Sequence, residues 1–73
     1  IKVDPNNFSL FSGRGEVKMQ LGDYRGAITD FNRSVELIDN EHIVSEILKK
    51  RAVAYYQIKN YKLALQDLDR AIN

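Results

Sequence analysis

Gly22-Asp23-Tyr24, followed by Ala27, Phe31 and Ser34, returns 37 residues later (59 − 22) as Lys59-Asn60-Tyr61, Ala64, Leu68 and Ala71. The same offset carries Arg14-Gly15 onto Arg51-Ala52, Asp30 onto Asp67 and Arg33 onto Arg70. Self-similarity at a spacing in the mid-thirties is the mark of a helical repeat array. Units of this kind stack into a curved surface rather than enclosing a pocket for chemistry. The pattern therefore points to a surface that holds something, not a site that transforms it.

Composition narrows the choice further. Seventy-three residues make one small domain, able to bury roughly 60% of what its unfolded chain exposes. Eleven basic and ten acidic residues leave a net charge of +1, which supplies no polyelectrolyte drive toward nucleic acid. No stretch approaches the roughly 20 apolar residues that span a bilayer. Cysteine is absent, so disulfides and thiolate zinc sites are excluded while the compartment is left open.

Helical periodicity runs through the chain. Phe8, Phe11, Gly15, Met19 and Leu21 recur at steps near three and four. Asn6 and Asn7 can cap that helix, and Gly22 can close it in the left-handed conformation. Asp23 caps a second helix with a stripe of Ala27, Ile28, Phe31, Ser34, Val35 and Ile38. Asp39-Asn40 forms the next break, and a third helix is expected from about Ile43 to Ile58. Its inner side carries Ile47, Leu48, Ala52, Tyr55 and Ile58. Asn60 caps a fourth, with Tyr61, Ala64, Leu65, Leu68, Ala71 and Ile72 in its stripe. Connections this short require sequential helices to pack antiparallel. The fold class is all-α, with antiparallel helix-turn-helix repeats stacked as an α-solenoid segment. Pro5 separates the opening residues from the first helix.

These residues resemble the tetratricopeptide repeat, a helix-turn-helix unit of about 34 residues with small and large side chains at fixed places. Phe11 falls at the family's tryptophan position, Gly15 and Ala27 at its first two small positions, Phe31 at the later aromatic and Ser34 at the third small one. Leu48, Ala52, Tyr55, Ala64, Leu68 and Ala71 match the same pattern again. The resemblance implies that residues 1–7 are the tail and turn of a preceding repeat. Residues 8–44 are then a first repeat with a three-residue extension (37 − 34), and 45–73 a second, truncated one. On that reading the chain is a segment of a longer protein. Departures include Lys18, where the family has tyrosine, and Asp39, where it has proline. The extension equals nearly one helical turn and is expected to lengthen the first helix of repeat 2. Close helix crossings explain the small residues physically: Gly15, Ala27, Ala52, Ala64 and Ala71 let backbones approach while the aromatics fill the space beside them.

Other chemistry is weakly supported. Gly13-Arg14-Gly15 lacks the preceding strand and helix N-terminus of a phosphate loop; close packing explains Gly15, and Gly13 sits on an open face. His42 stands alone, which makes a poor metal site. The carboxylates are expected on solvated faces, with Asp30–Arg33 and Asp67–Arg70 as local i,i+3 pairs. Neither a catalytic site, a metal nor a cofactor is expected.

In the resembled family the first helix of each repeat lines a concave groove. Carried over position by position, the partner-facing residues are Glu16, Met19, Gln20, Lys49, Lys50, Val53, Tyr56 and Gln57, with Ser9, Ser12, Gly13 and Glu46 beside them. Tyr56 either anchors a peptide or covers the next repeat's helix. Some family members grip a partner's C-terminal carboxylate with lysine, asparagine and arginine; Ser12, Glu16 and Glu46 replace members of that set, so this mode is not expected. The implied function is non-catalytic binding of a protein or peptide. Self-association through uncapped ends is the alternative, and RNA binding by a helical array is disfavoured by the near-zero net charge. No membrane partner is expected.

Overall fold

The computed structural model describes residues 7–72, and Asn6 and the expected helical tail at 1–3 lie outside them. Four helices follow in order: α1 (Phe8–Gln20), α2 (Tyr24–Glu36), α3 (Glu41–Gln57) and α4 (Tyr61–Ile72). α1 packs on α2 and α3 on α4, giving two hairpins, and the hairpins join through α2 against α3 with a lesser contact of α1 on α3. Every helix starts on a side-chain cap. Asn7 accepts from the Ser9 N–H at 2.9 Å, Asp23 from Gly26 at 3.0 Å, Asn40 from His42 and Ile43 at 3.0 and 3.2 Å, and Asn60 from Leu63 at 3.4 Å. The third helix begins at Glu41, earlier than the expected Ile43, because Asn40 caps it directly. Glu41 then occupies the first turn, where a negative side chain meets the positive end of the helix. α3 is 17 residues long against 13 for α1, so the extra turn is helix rather than loop.

Both first helices end identically in backbone and differently in residue. Gly22 has φ +82°, and the Asp23 N–H donates to the Lys18 carbonyl at 2.8 Å while Gly22 donates to Met19 at 3.1 Å. In the second hairpin Lys59 takes φ +66°, with Asn60 donating to Tyr55 and Lys59 to Tyr56, both at 2.9 Å. This six-to-one and five-to-two pairing satisfies carbonyls that a helix end leaves open. Leu21, expected on the α1 stripe, is instead the C-cap and stays exposed. Ile38 lies past the end of α2 but still packs against the core from the loop.

The core is built where small meets large. Ala27, Phe31 and Ile47 form its buried centre, with Phe8, Met19, Val35, Ile38 and Ile43 packed around it. A Cβ on Gly15 would stand 2.7 Å from the Phe31 ring, so the glycine is the space the ring occupies. The second hairpin meets the same need with Ala52 and Leu68, a larger residue opposite a smaller one. A serine closes each hairpin from opposite helices. The Ser34 hydroxyl donates to the Phe8 carbonyl and the Ser45 hydroxyl to the Ala71 carbonyl, both at 2.8 Å. Offset by 37, Ser34 corresponds to Ala71 and Phe8 to Ser45, so one junction is made twice with donor and acceptor exchanged.

The expected local pairs Asp30–Arg33 and Asp67–Arg70 do not form. Both aspartates turn inward, to 1% and 6% exposure, and are held by the partner helix. Arg14 donates through Nε and Nη2 to Asp30 at 2.9 and 2.7 Å, and Lys18 adds a contact at 3.1 Å. Arg51 grips Asp67 through the same two atoms at 2.8 and 2.7 Å. Arg33 pairs with Glu36 instead. The Arg14 hydrogen bond, reinforced by Lys18, holds the Asp30 carboxyl below the usual carboxylate range against the opposing effect of burial. Hydrogen bonding to Asp67 raises the Arg51 guanidinium in the same sense. Bidentate pairs of this type fix geometry as well as charge, so each locks one hairpin. No buried side-chain polar atom lacks a partner among the described residues.

Candidate functional site

α1 and α3 lie side by side on one face, and a shallow groove of about 160 Å³ runs between them. Glu16, Met19 and Gln20 come from α1, Lys50 and Val53 from α3, with Phe31 of α2 beneath. Five of the eight residues expected to face a partner are thus brought together. Phe31, expected only as a packing residue, also floors this groove, because the side-chain-free Gly15 leaves its ring room between the helices. The Lys50 ammonium and the Glu16 carboxylate bridge the groove at 3.0 Å, so the two charges largely cancel. Lys49 turns along its own helix to Glu46 at 3.4 Å. Gln57 is exposed and lines none of the clefts described here.

Val53 continues the groove into a second cleft of about 180 Å³, lined by Ala52, Val53, Tyr56, Ala64 and Leu68. All five side chains are aliphatic or aromatic. Tyr56 is 61% exposed, yet its ring is held edge-on to that of Tyr61, with centroids 5.4 Å apart. Such a ring offers large apolar area at little further cost in side-chain ordering. A third cleft of about 380 Å³ lies between the start of α3 and the end of α4, with His42, Ser45 and Arg70 among its walls. Among the described residues no group of three His, Cys, Asp or Glu side chains could hold a metal ion. Gly13 and Gly15 sit in the interior of α1 rather than in a loop, which removes the phosphate-loop geometry. No described helix is long and apolar enough to cross a membrane.

The family model for the tetratricopeptide repeat matches residues 7–73. Comparison with curated proteins gives no match. Two helical hairpins with small residues at each crossing, and a match over nearly the whole length, lead to one conclusion: the chain belongs to the tetratricopeptide repeat family.

Proposed function

We propose that this chain is a non-catalytic protein-binding module, with units 8–44 and 45–73, that holds an extended or helical segment of a partner protein along the α1–α3 face. Tetratricopeptide repeats generally mediate protein–protein interaction. The observation that carries the reading here is the continuous apolar path from Met19 through Val53 to the exposed but braced ring of Tyr56. Aromatic side chains in this setting are frequent binding anchors. The Lys50–Glu16 bridge makes the field across the groove mixed, so apolar burial contributes more than net charge. A partner segment with an apolar side chain beside an acidic group fits, the acid competing with Glu16 for Lys50.

The test begins with a pull-down using the whole protein as bait, followed by titration of the captured partner. Tyr56→Ala is expected to weaken binding by about 1–2 kcal/mol, the scale of an interface anchor, with helicity retained. Unchanged affinity in both Tyr56→Ala and Lys50→Ala moves the site off this face.

A further inference from the structure

The ion pairs of the fold engage its cations unevenly. Arg14, Lys18, Arg33, Lys49, Lys50 and Arg51 each hold a carboxylate. Arg25, Lys59, Lys62 and Arg70 are exposed and hold none among the described residues. Three of these four share one edge of the molecule. α1 passes into α2 and α3 into α4 at that edge, and Arg25, Lys59 and Lys62 lie in the turns or in the first helical turn after them. The α2–α3 connection runs along the opposite edge, where the exposed carboxylates of Asp39 and Glu41 are likewise unpaired among the described residues. Packing of the first hairpin on the second joins α2 to α3 and leaves the turns at its margin.

The second turn is the more basic of the two. The 37-residue offset replaces Gly22 by Lys59 and Asp23 by Asn60, while Arg25 returns as Lys62. From Ile47 to Gln66 the chain carries Lys49, Lys50, Arg51, Lys59 and Lys62 and no acidic residue. The first three are engaged with Glu46, Glu16 and Asp67, so the open positive charge of this run is the turn. Folding does not call for that placement. Arg25 and Lys62 stand near the positive ends of α2 and α4, where an acidic side chain is favoured, and neither helix has one in its first turn. Lys59 keeps a backbone at φ +66° that suits glycine.

We infer that the α3–α4 turn, together with Arg25, is a second interaction surface that docks an unstructured acidic segment of a partner protein, its carboxylates meeting Lys59, Lys62 and Arg25. This goes beyond the α1–α3 groove, from which the edge is separate. Lysine ammonium groups are compact charges with rotating donors, which suits the irregular spacing of carboxylates on a flexible segment. A nucleic acid presents a continuous row of phosphates and matches the edge less well, because Asp23 interrupts its positive charge and the chain's net charge is only +1.

The probe is fluorescein-labelled acetyl-hexaglutamate, titrated against the 73-residue chain at about 10 and 150 mM salt, where charges are screened over roughly 30 and 8 Å. Binding is expected at the lower salt and should weaken at the higher. Lys59→Gly combined with Lys62→Gln should lower the affinity at least about threefold, the scale of lost exposed ion pairs, with a urea midpoint no lower than the parent's. Amide shifts on titration should centre on residues 23–26 and 58–63. No binding at the lower salt overturns the proposal, as does a double variant that binds like the parent or loses binding only in step with a lower midpoint. Shifts centred on Lys49 and Lys50 would put the acid in the groove and overturn the edge site. Tighter binding of an eight-uridine RNA or of phosphatidylserine vesicles overturns the choice of partner. Tyr56 is untouched throughout, so these outcomes stand apart from those for the groove.

Discussion

Arg51 clasps Asp67 through a two-point fork, Nε at 2.8 Å and Nη2 at 2.7 Å, with both side chains largely withdrawn from water. The first hairpin repeats the fork with Arg14 and Asp30, but there Lys18 supplies a second cation. Tyr55 stands at the position matching Lys18, with the Arg51 guanidinium 5.6 Å from its ring centre. Asp67 therefore depends on one ion-pair partner where Asp30 has two.

Removing that partner should be the costlier change. Arg51→Met leaves a buried carboxylate without its cation and is expected to cost about 3 kcal/mol. Arg14→Met should cost less, because Lys18 remains within reach of Asp30. Urea unfolding of the two variants gives the order; equal losses would mean that Lys18 contributes nothing to holding Asp30.

Asp30 also sets a pH dependence. Its carboxyl titrates lower in the folded chain than in the unfolded one, where the value is about 3.9, so the folded state binds fewer protons in acid. The stability this provides is fully present above the unfolded value and is lost as pH falls through the folded one. Melting temperatures of the parent chain and Asp30→Asn should differ most at neutral pH, and the gap should begin to shrink as pH falls below about 4. A gap that stays constant down to pH 2 would remove the linkage.

Two glycines of one helix should respond with opposite sign. Gly15→Ala drives a methyl into the Phe31 ring at 2.7 Å and is expected to cost about 1–3 kcal/mol as overpacking. Gly13→Ala adds its methyl in open space and should gain about 0.5–1 kcal/mol through helix propensity. Thermal melts of the pair check both; a stabilised Gly15→Ala would contradict the close crossing of α1 and α2.

Lys59 holds a left-handed backbone, φ +66°, that Gly22 adopts freely at the corresponding turn. Lys59→Gly should stabilise the chain by up to about 1 kcal/mol by relieving that conformation, with the Asn60-to-Tyr55 hydrogen bond retained. A lower urea midpoint would show that the lysine side chain offsets the strain.

Much of the architecture was legible because it is local. Caps at Asn7, Asp23, Asn40 and Asn60 act on backbone groups two or three residues away, and the left-handed turn at Gly22 is a property of one residue. The pairing of small with large side chains followed from the 37-residue offset, since equivalent crossings need equivalent volumes. The partner-facing residues came only through family resemblance, and the closeness of Glu16 to Lys50 could not be read from either helix alone.

By itself, the sequence determined four capped helices, their antiparallel order and the repeat that makes two hairpins. Periodicity and short connections leave no other packing for their apolar stripes. Tertiary structure decided where the charges go. Asp30 looks solvated beside Arg33, yet the rotation of α2 against α1 buries it, and a buried carboxylate requires a cation from across the interface rather than along its own helix. The same packing decided which apolar residues remain uncovered. Leu65 and Leu68 differ little in chemistry from Ile28 and Phe31, and what separates the pairs is that, among the described residues, α2 is packed by helices on both sides while α4 is packed by α3 alone.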